Sequence, residues 1–263
     1  MMMFMRNYAS FVAVALAPVL CTGCVTTPGQ LDPVGDEVPA SVEEPRGRIH
    51  EKSSYRSQSM HGWTVLVSPD LISDPELERR TLALLDDHLY RIGRVIPSPA
   101  LEDLRGVEIW VEKDTPWTQC MCYHISPAWL TANGYNPAKA GTVEVGNAEA
   151  FLEWTRTQPW MVLHELAHAY HYQVLGPEHS GINAAWRARV DAGDFDRVLH
   201  ASGAPRRHYA LTNDKEYFAE TTEAYFGTND FHPFVRAELQ QADPRGHALM
   251  ESTWHRPPEE PGT

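Results

Sequence analysis

The stretch Trp160-Met-Val-Leu-His164-Glu165-Leu-Ala-His168 sets two histidines four residues apart inside an apolar run. On a helix that spacing puts both imidazoles on one face. The apolar flanks require the same helix to be buried. A helix is expected from about Gln158 to Leu175, stopped by Gly176. Two imidazoles on one buried face suit a single zinc ion, and Glu165 lies beside the first of them. Zinc lowers the pKa of a bound water towards about 7, and a carboxylate can take its proton as it attacks a carbonyl. His164 and His168 are therefore read as metal ligands and Glu165 as general base. His171 lies one turn further along that face and is read as a packing or supporting histidine. His124 has no partner spacing and is read as structural.

A catalytic zinc takes three protein ligands and leaves one position open. The pattern with a third histidine would need Gly at 171 and His at 174, where this chain has His171 and Val174. Asp191 is an acidic candidate some twenty residues on. A stronger one lies in Tyr209-Ala-Leu-Thr-Asn213-Asp-Lys-Glu216-Tyr-Phe-Ala-Glu220. Glu216, Glu220 and Glu223 share a helix face, on a helix rich in aromatics (Tyr217, Phe218, Tyr225, Phe226). Such a helix is buried along much of its girth, which makes acids on it unusual. Asn213 with Glu216 also forms a capping box, a plainer role for that glutamate.

The Tyr209 spacing and the Glu216-Tyr-Phe-Ala-Glu220 run, placed after the two-histidine motif, resemble the catalytic domain of anthrax toxin lethal factor and its relatives. These are gluzincin zinc metallopeptidases. The resemblance covers Trp160 to Phe234. It implies Glu216 as third zinc ligand, Tyr209 as the phenol that supports the transition state, and Glu220 as a carboxylate holding a ligand histidine. It also implies a peptide or protein substrate. Gluzincins commonly offer an edge strand to an extended peptide, and Thr142-Val-Glu-Val145 stands in the corresponding place before the helix of the two histidines, either as that edge or as an ordinary sheet strand. The aromatics of Pro127-Ala-Trp129 to Tyr135 would either line the cleft or simply pack.

The N-terminus carries a different message. Arg6 precedes an apolar run from Phe11 to Leu20, followed by Cys21-Thr-Gly-Cys24. That is the layout of an export signal over residues 1–23. Thr22-Gly23-Cys24 resembles the lipobox of bacterial lipoproteins, although Leu20 sits one place early. It implies lipidation of Cys24 and a membrane-anchored protein of the cell envelope. Residues 24–60, rich in Pro, Gly, Glu, Ser and Thr, read as a flexible tether. The catalytic domain is expected over 61–255 and a disordered tail over 256–263. The formal net charge of −13 disfavours nucleic acid as a partner. Beyond Cys24 only Cys120 and Cys122 remain. Their spacing leaves a strained bridge and two thiols equally open.

The fold class expected is α+β: a zincin-like domain with a small mixed sheet and a helical C-terminal half. Strands are expected at Trp63–Ser68, Gly106–Glu112 and Thr142–Val145. Further helices are expected from Asp74 to about Arg94, from Gly181 to Ala192, from Asn213 to Gly227, from Pro233, and from Gly246 to Trp254. Two other functions fit the same residues. One is a zinc hydrolase of non-peptide amides in the cell envelope, and the other is a zinc-binding relative without catalysis.

Overall fold

A computed structural model describes residues 49–115 and 118–255. The export signal, Cys24, most of the expected tether and the tail lie outside the described residues. The fold is mixed α and β, with a small sheet and many helices. Among the described residues no helix is long and apolar enough to cross a membrane.

Strands β1 (Arg56–Met60), β2 (Trp63–Val67), β3 (Ile109–Val111), β4 (Met121–Tyr123) and β5 (Val143–Val145) form one sheet in the order β1-β2-β3-β5-β4. The central pairs are parallel and both outer pairs antiparallel. Two expectations are corrected here. Residues 56–60 are not tether, because β1 pairs along its whole length with β2 and the folded part begins before position 61. Nor is Val143–Val145 an edge, because β5 lies between β3 and β4, and β4 is the edge strand. Every residue of β4 is buried, so it has no polar alternation to betray it in the sequence.

Register separates the two faces. Val65, Ile109, Val143 and Tyr123 align across one row, and Val67, Val111, Val145 and Met121 across another. These rows enter the main core, under α2 (Pro75–Val95) and α6 (Met161–Tyr170). Helix α2 is opened by the Asp74 carboxylate, which accepts from Leu77 N–H, and by Pro75 at its first turn. Its Leu85, Leu89 and Ile92 are essentially inaccessible. Each such side chain contributes roughly 1.5–3 kcal/mol through burial. The row on the opposite face runs Leu66, Trp110, Glu144, Cys122, and is covered by other parts of the chain.

Helix α6, which carries His164 and His168, passes directly into a π-helical turn, His171–Leu175, and ends where Gly176 turns to φ 89°. No side chain caps its start at Trp160. Burial defines it instead, since only His168 among its residues is more than marginally exposed. Helix α8 (Asp214–Phe226) packs against it. Asn213 caps α8 by accepting from Lys215 and Glu216 N–H, and Gly227 closes it. Short helices α1 (Pro69–Ile72), α3 (Ser98–Arg105), α4 (Pro127–Ala132) and α5 (Ala148–Trp154) connect the strands. Helix α7 (Ser180–Ala192) and a two-stranded ribbon, β6 (Val198–Leu199) with β7 (Pro205–Arg206), lead to α8. Then come α9 (Arg236–Ala242) and α10 (Pro244–Trp254). The expected helix from Pro233 begins only at Arg236, because Val235 remains extended.

Gly227 is needed for close approach. A Cβ there would lie 2.0 Å from the Trp160 ring, which also carries the Arg91 guanidinium over its face. The end of α8 thus rests on the start of α6. Gly227→Ala should destabilise the fold by about 1–3 kcal/mol through overpacking. Urea unfolding measures this as a lower midpoint at unchanged slope. A wild-type midpoint would mean that the two helix ends do not depend on this contact.

Candidate metal centre

Helices α6 and α8 face each other with polar side chains across a buried interface. His164 and His168 present Nε2 atoms from α6, with ring centroids 4.8 Å apart. The Glu216 carboxylate comes from the first turn of α8. Its Oε2 lies 3.1 Å from His164 Nε2 and 3.4 Å from His168 Nε2. The three donor atoms lie within 4.8 Å of one another, so this group can hold a metal ion. Asp191, the other acidic candidate, is exposed near the end of α7. The capping role and the ligand role of Glu216 do not compete. Asn213 accepts from the Glu216 backbone N–H and leaves its carboxylate to the histidines.

Electrostatics bind the cluster together. Burial pushes the Glu216 carboxyl up, but His168 and His164 beside it outweigh this and hold it well below the usual range. Burial likewise works against a charge on His164. Its bonds to Glu216 and Glu223 outweigh that and raise it.

One expected role moves to a different residue. Glu220 Oε1 is 3.7 Å from His164 Nδ1, too far for a hydrogen bond, whereas Glu223 Oε1 is at 2.7 Å. Glu223 therefore holds the ring nitrogen turned away from the metal face and fixes the tautomer. It lies one turn beyond Glu220 on the helix face already visible in the sequence. Glu220 sits deeper, with Asp230 and His208 around it. Burial, then Asp230 and Glu223, raise its carboxyl well above the ordinary range. No motif or spacing marks Asp230 or His208 in the sequence. His208 is clamped between Phe195 and Phe231, at ring separations of 4.8 and 4.9 Å, and burial lowers its pKa to about 3. His171 packs on Phe218 as a buried ring, and burial lowers it to about 4. It belongs to no metal-binding group among the described residues.

Glu165 is 6% exposed and accepts a hydrogen bond from the Tyr123 backbone N–H at 2.8 Å. The edge strand β4 therefore fixes the orientation of this carboxylate. A cleft is lined by His164, Glu165, Met121 of β4, Tyr209, Glu220, Glu223 and Phe231, among others, while His168 and Glu216 are not among its lining residues. Tyr209 reaches it from a 3₁₀ turn, Tyr209–Leu211, and packs on the small cluster around Phe195, Leu211 and Phe231. Of the two readings of Trp129 and Tyr135, packing is the one seen: Trp129 packs on Tyr135, and Tyr135 on His124.

Comparison of the chain with protein-family models, with curated proteins and with solved structures gives no match. The resemblance therefore rests on the motif residues.

Glu223→Ala should weaken metal binding about 10–100-fold by releasing His164 Nδ1, with a smaller loss for Glu220→Ala. Chelator competition with a zinc indicator reads both. A larger loss at Glu220 would return the orienting role to that residue.

Proposed function

We propose that this protein is a zinc-dependent peptidase. We further propose that it is exported and anchored in the cell envelope through a lipid on Cys24, a part that rests on the sequence of residues 1–24 alone. The observation that carries the catalytic reading is the convergence of His164, His168 and Glu216 from two buried helices, with Glu165 next to the first histidine and lining the adjacent cleft. The donor chemistry fits zinc: two imidazoles and one carboxylate on buried, rigid elements. Zinc held there would polarise a water and the carbonyl of the scissile bond.

In this reading the remaining steps belong to the chain itself. Glu165 accepts the proton of the attacking water and passes it to the departing amine. The Tyr123 N–H holds one of its oxygens and so orients the base. Tyr209, also lining the cleft, donates its hydroxyl to the oxyanion that develops on the carbonyl. Strand β4 is the sheet edge beside the cleft, and Met121 of that strand lines it. The choice of a peptide over a compact amide rests on the resemblance of the motif residues, since β4 is buried and its Tyr123 N–H is engaged by Glu165.

Three substitutions test the reading on purified protein with a broad peptide library. Glu165→Gln should abolish turnover while zinc stays bound, and retained activity would remove the general-base role. Glu216→Ala should lose zinc by elemental analysis while Asp191→Ala keeps it. The reverse order would make Asp191 the ligand. Tyr209→Phe should lower kcat by about 10²-fold or more with little change in KM. An unchanged kcat would make Tyr209 a packing residue.

A further inference from the structure

The opposite face of the sheet carries a second cluster of metal-binding donors. Cys122 of β4 is paired directly with Glu144 of β5, so both side chains leave the same face. His124 follows two residues after Cys122, and its N–H continues the ladder to Thr142, which puts its ring on that face as well. His124 Nε2 lies 3.4 Å from Cys122 Sγ and 2.5 Å from Glu144 Oε2. The three donor atoms lie within 4.8 Å of one another, and all three residues are buried. Thr118 Oγ1 adds a fourth, 3.4 Å from Cys122 Sγ and 3.3 Å from Glu144 Oε2. No disulfide competes for the sulfur, since Cys120 and Cys122 are both buried thiols.

We propose that Cys122, His124 and Glu144 form a second metal site, taking one divalent cation of borderline softness such as zinc, with Thr118 at its remaining position. The donor set is one sulfur, one nitrogen and one carboxylate oxygen, the mixture that suits zinc rather than calcium or magnesium. Its charges balance. A thiolate and a carboxylate neutralise a divalent ion, and the neighbouring Lys139 is matched by Glu112, to which its ammonium bonds at 2.6 Å. Lys139 takes Glu144 Oε1 and leaves Oε2 for the metal. Four protein donors around a buried ion make a closed site with no position for substrate, so its role is structural. The ion would clamp β4 to β5. Between Cys122 and His124 sits Tyr123, whose N–H holds Glu165 on the other side of the strand.

The test is metal content and cobalt spectroscopy on the purified chain. The parent should hold about two metal ions, and cobalt loading should give a near-ultraviolet sulfur-to-cobalt charge-transfer band. That band should persist in His168→Ala and Cys120→Ala and vanish in Cys122→Ala, which should keep about one ion. A cobalt-loaded parent with no such band overturns the site, as does a band that follows Cys120 instead. Should Cys122→Ala fail to fold, X-ray absorption at zinc in the parent and in Cys120→Ala decides whether a sulfur ligand is present. One sulfur-ligated ion per parent chain would support this site and sink the two-histidine one. One ion without sulfur would do the opposite.

Discussion

Helices α6 and α8 can pack only if the acids between them are matched, and this sets the geometry of everything around them. An unpaired buried charge costs several kcal/mol even after relaxation, so Glu216 and Glu223 must each find a partner. His164 serves both, through Nε2 to one and Nδ1 to the other. That double engagement ties two points of α8, about two turns apart, to one residue of α6 and leaves little freedom in their relative register. The tight seat of Gly227 on Trp160 fixes the far end of the same pair. The sheet then needs only to present an apolar face to the other side of α6, which the rows through Val65 and Val67 do.

Much of this was legible because it depends on local spacing. The two histidines and Glu165 follow from helical period alone, and the observed helix brings them together as that period requires. The burial of α8 was signalled by aromatics surrounding its acids. Which acid would hold His164 was not legible. Glu220 and Glu223 share a face, and the choice between them is set by the crossing of two helices, a tertiary quantity. Strand β4 was missed for a different reason: Met121-Cys122-Tyr123 is buried on both faces and too short to show a period. With it went the identity of the sheet edge. Strand β1 was hidden because Arg56-Ser-Gln-Ser is mostly exposed and polar, a composition it shares with a tether.

The pair β4 and β5 has a polar centre on each side. On one side Tyr123 N–H reaches Glu165. On the other, Glu144, His124, Lys139 and Glu112 form a closed set of ion pairs beneath Tyr55 and Trp110. Burial opposes the charge on Glu144, but Lys139 and His124 overcome it and hold its carboxyl down at about 2. With no ion bound, burial similarly opposes a charge on His124, while Cys122 and Glu144 hold it up at about 10, and the proposed ion would take the place of that proton. These groups favour their charged forms only while they remain together. They therefore hold β4 in place more specifically than an apolar surface would, and the position of Glu165 inherits that precision through one backbone N–H.

The acids behind the first centre are less fully matched. Glu220, Glu223 and Asp230 each keep one oxygen without a protein partner among the described residues. Burial raises all three carboxyls, and neighbouring carboxylates add to this at Glu220 and Glu223. A core selected for stability alone would replace at least one of them with an apolar side chain of similar volume, because unmatched buried acceptors cost about 1–3 kcal/mol each. Their concentration around His164 Nδ1, and not elsewhere in the core, is what a demand on that imidazole would produce. A carboxylate on Nδ1 makes Nε2 a stronger and better oriented donor to a cation. The strain in the acid cluster and the donor strength of His164 are then two sides of one arrangement, in which stability is given up at the place where the chemistry is expected.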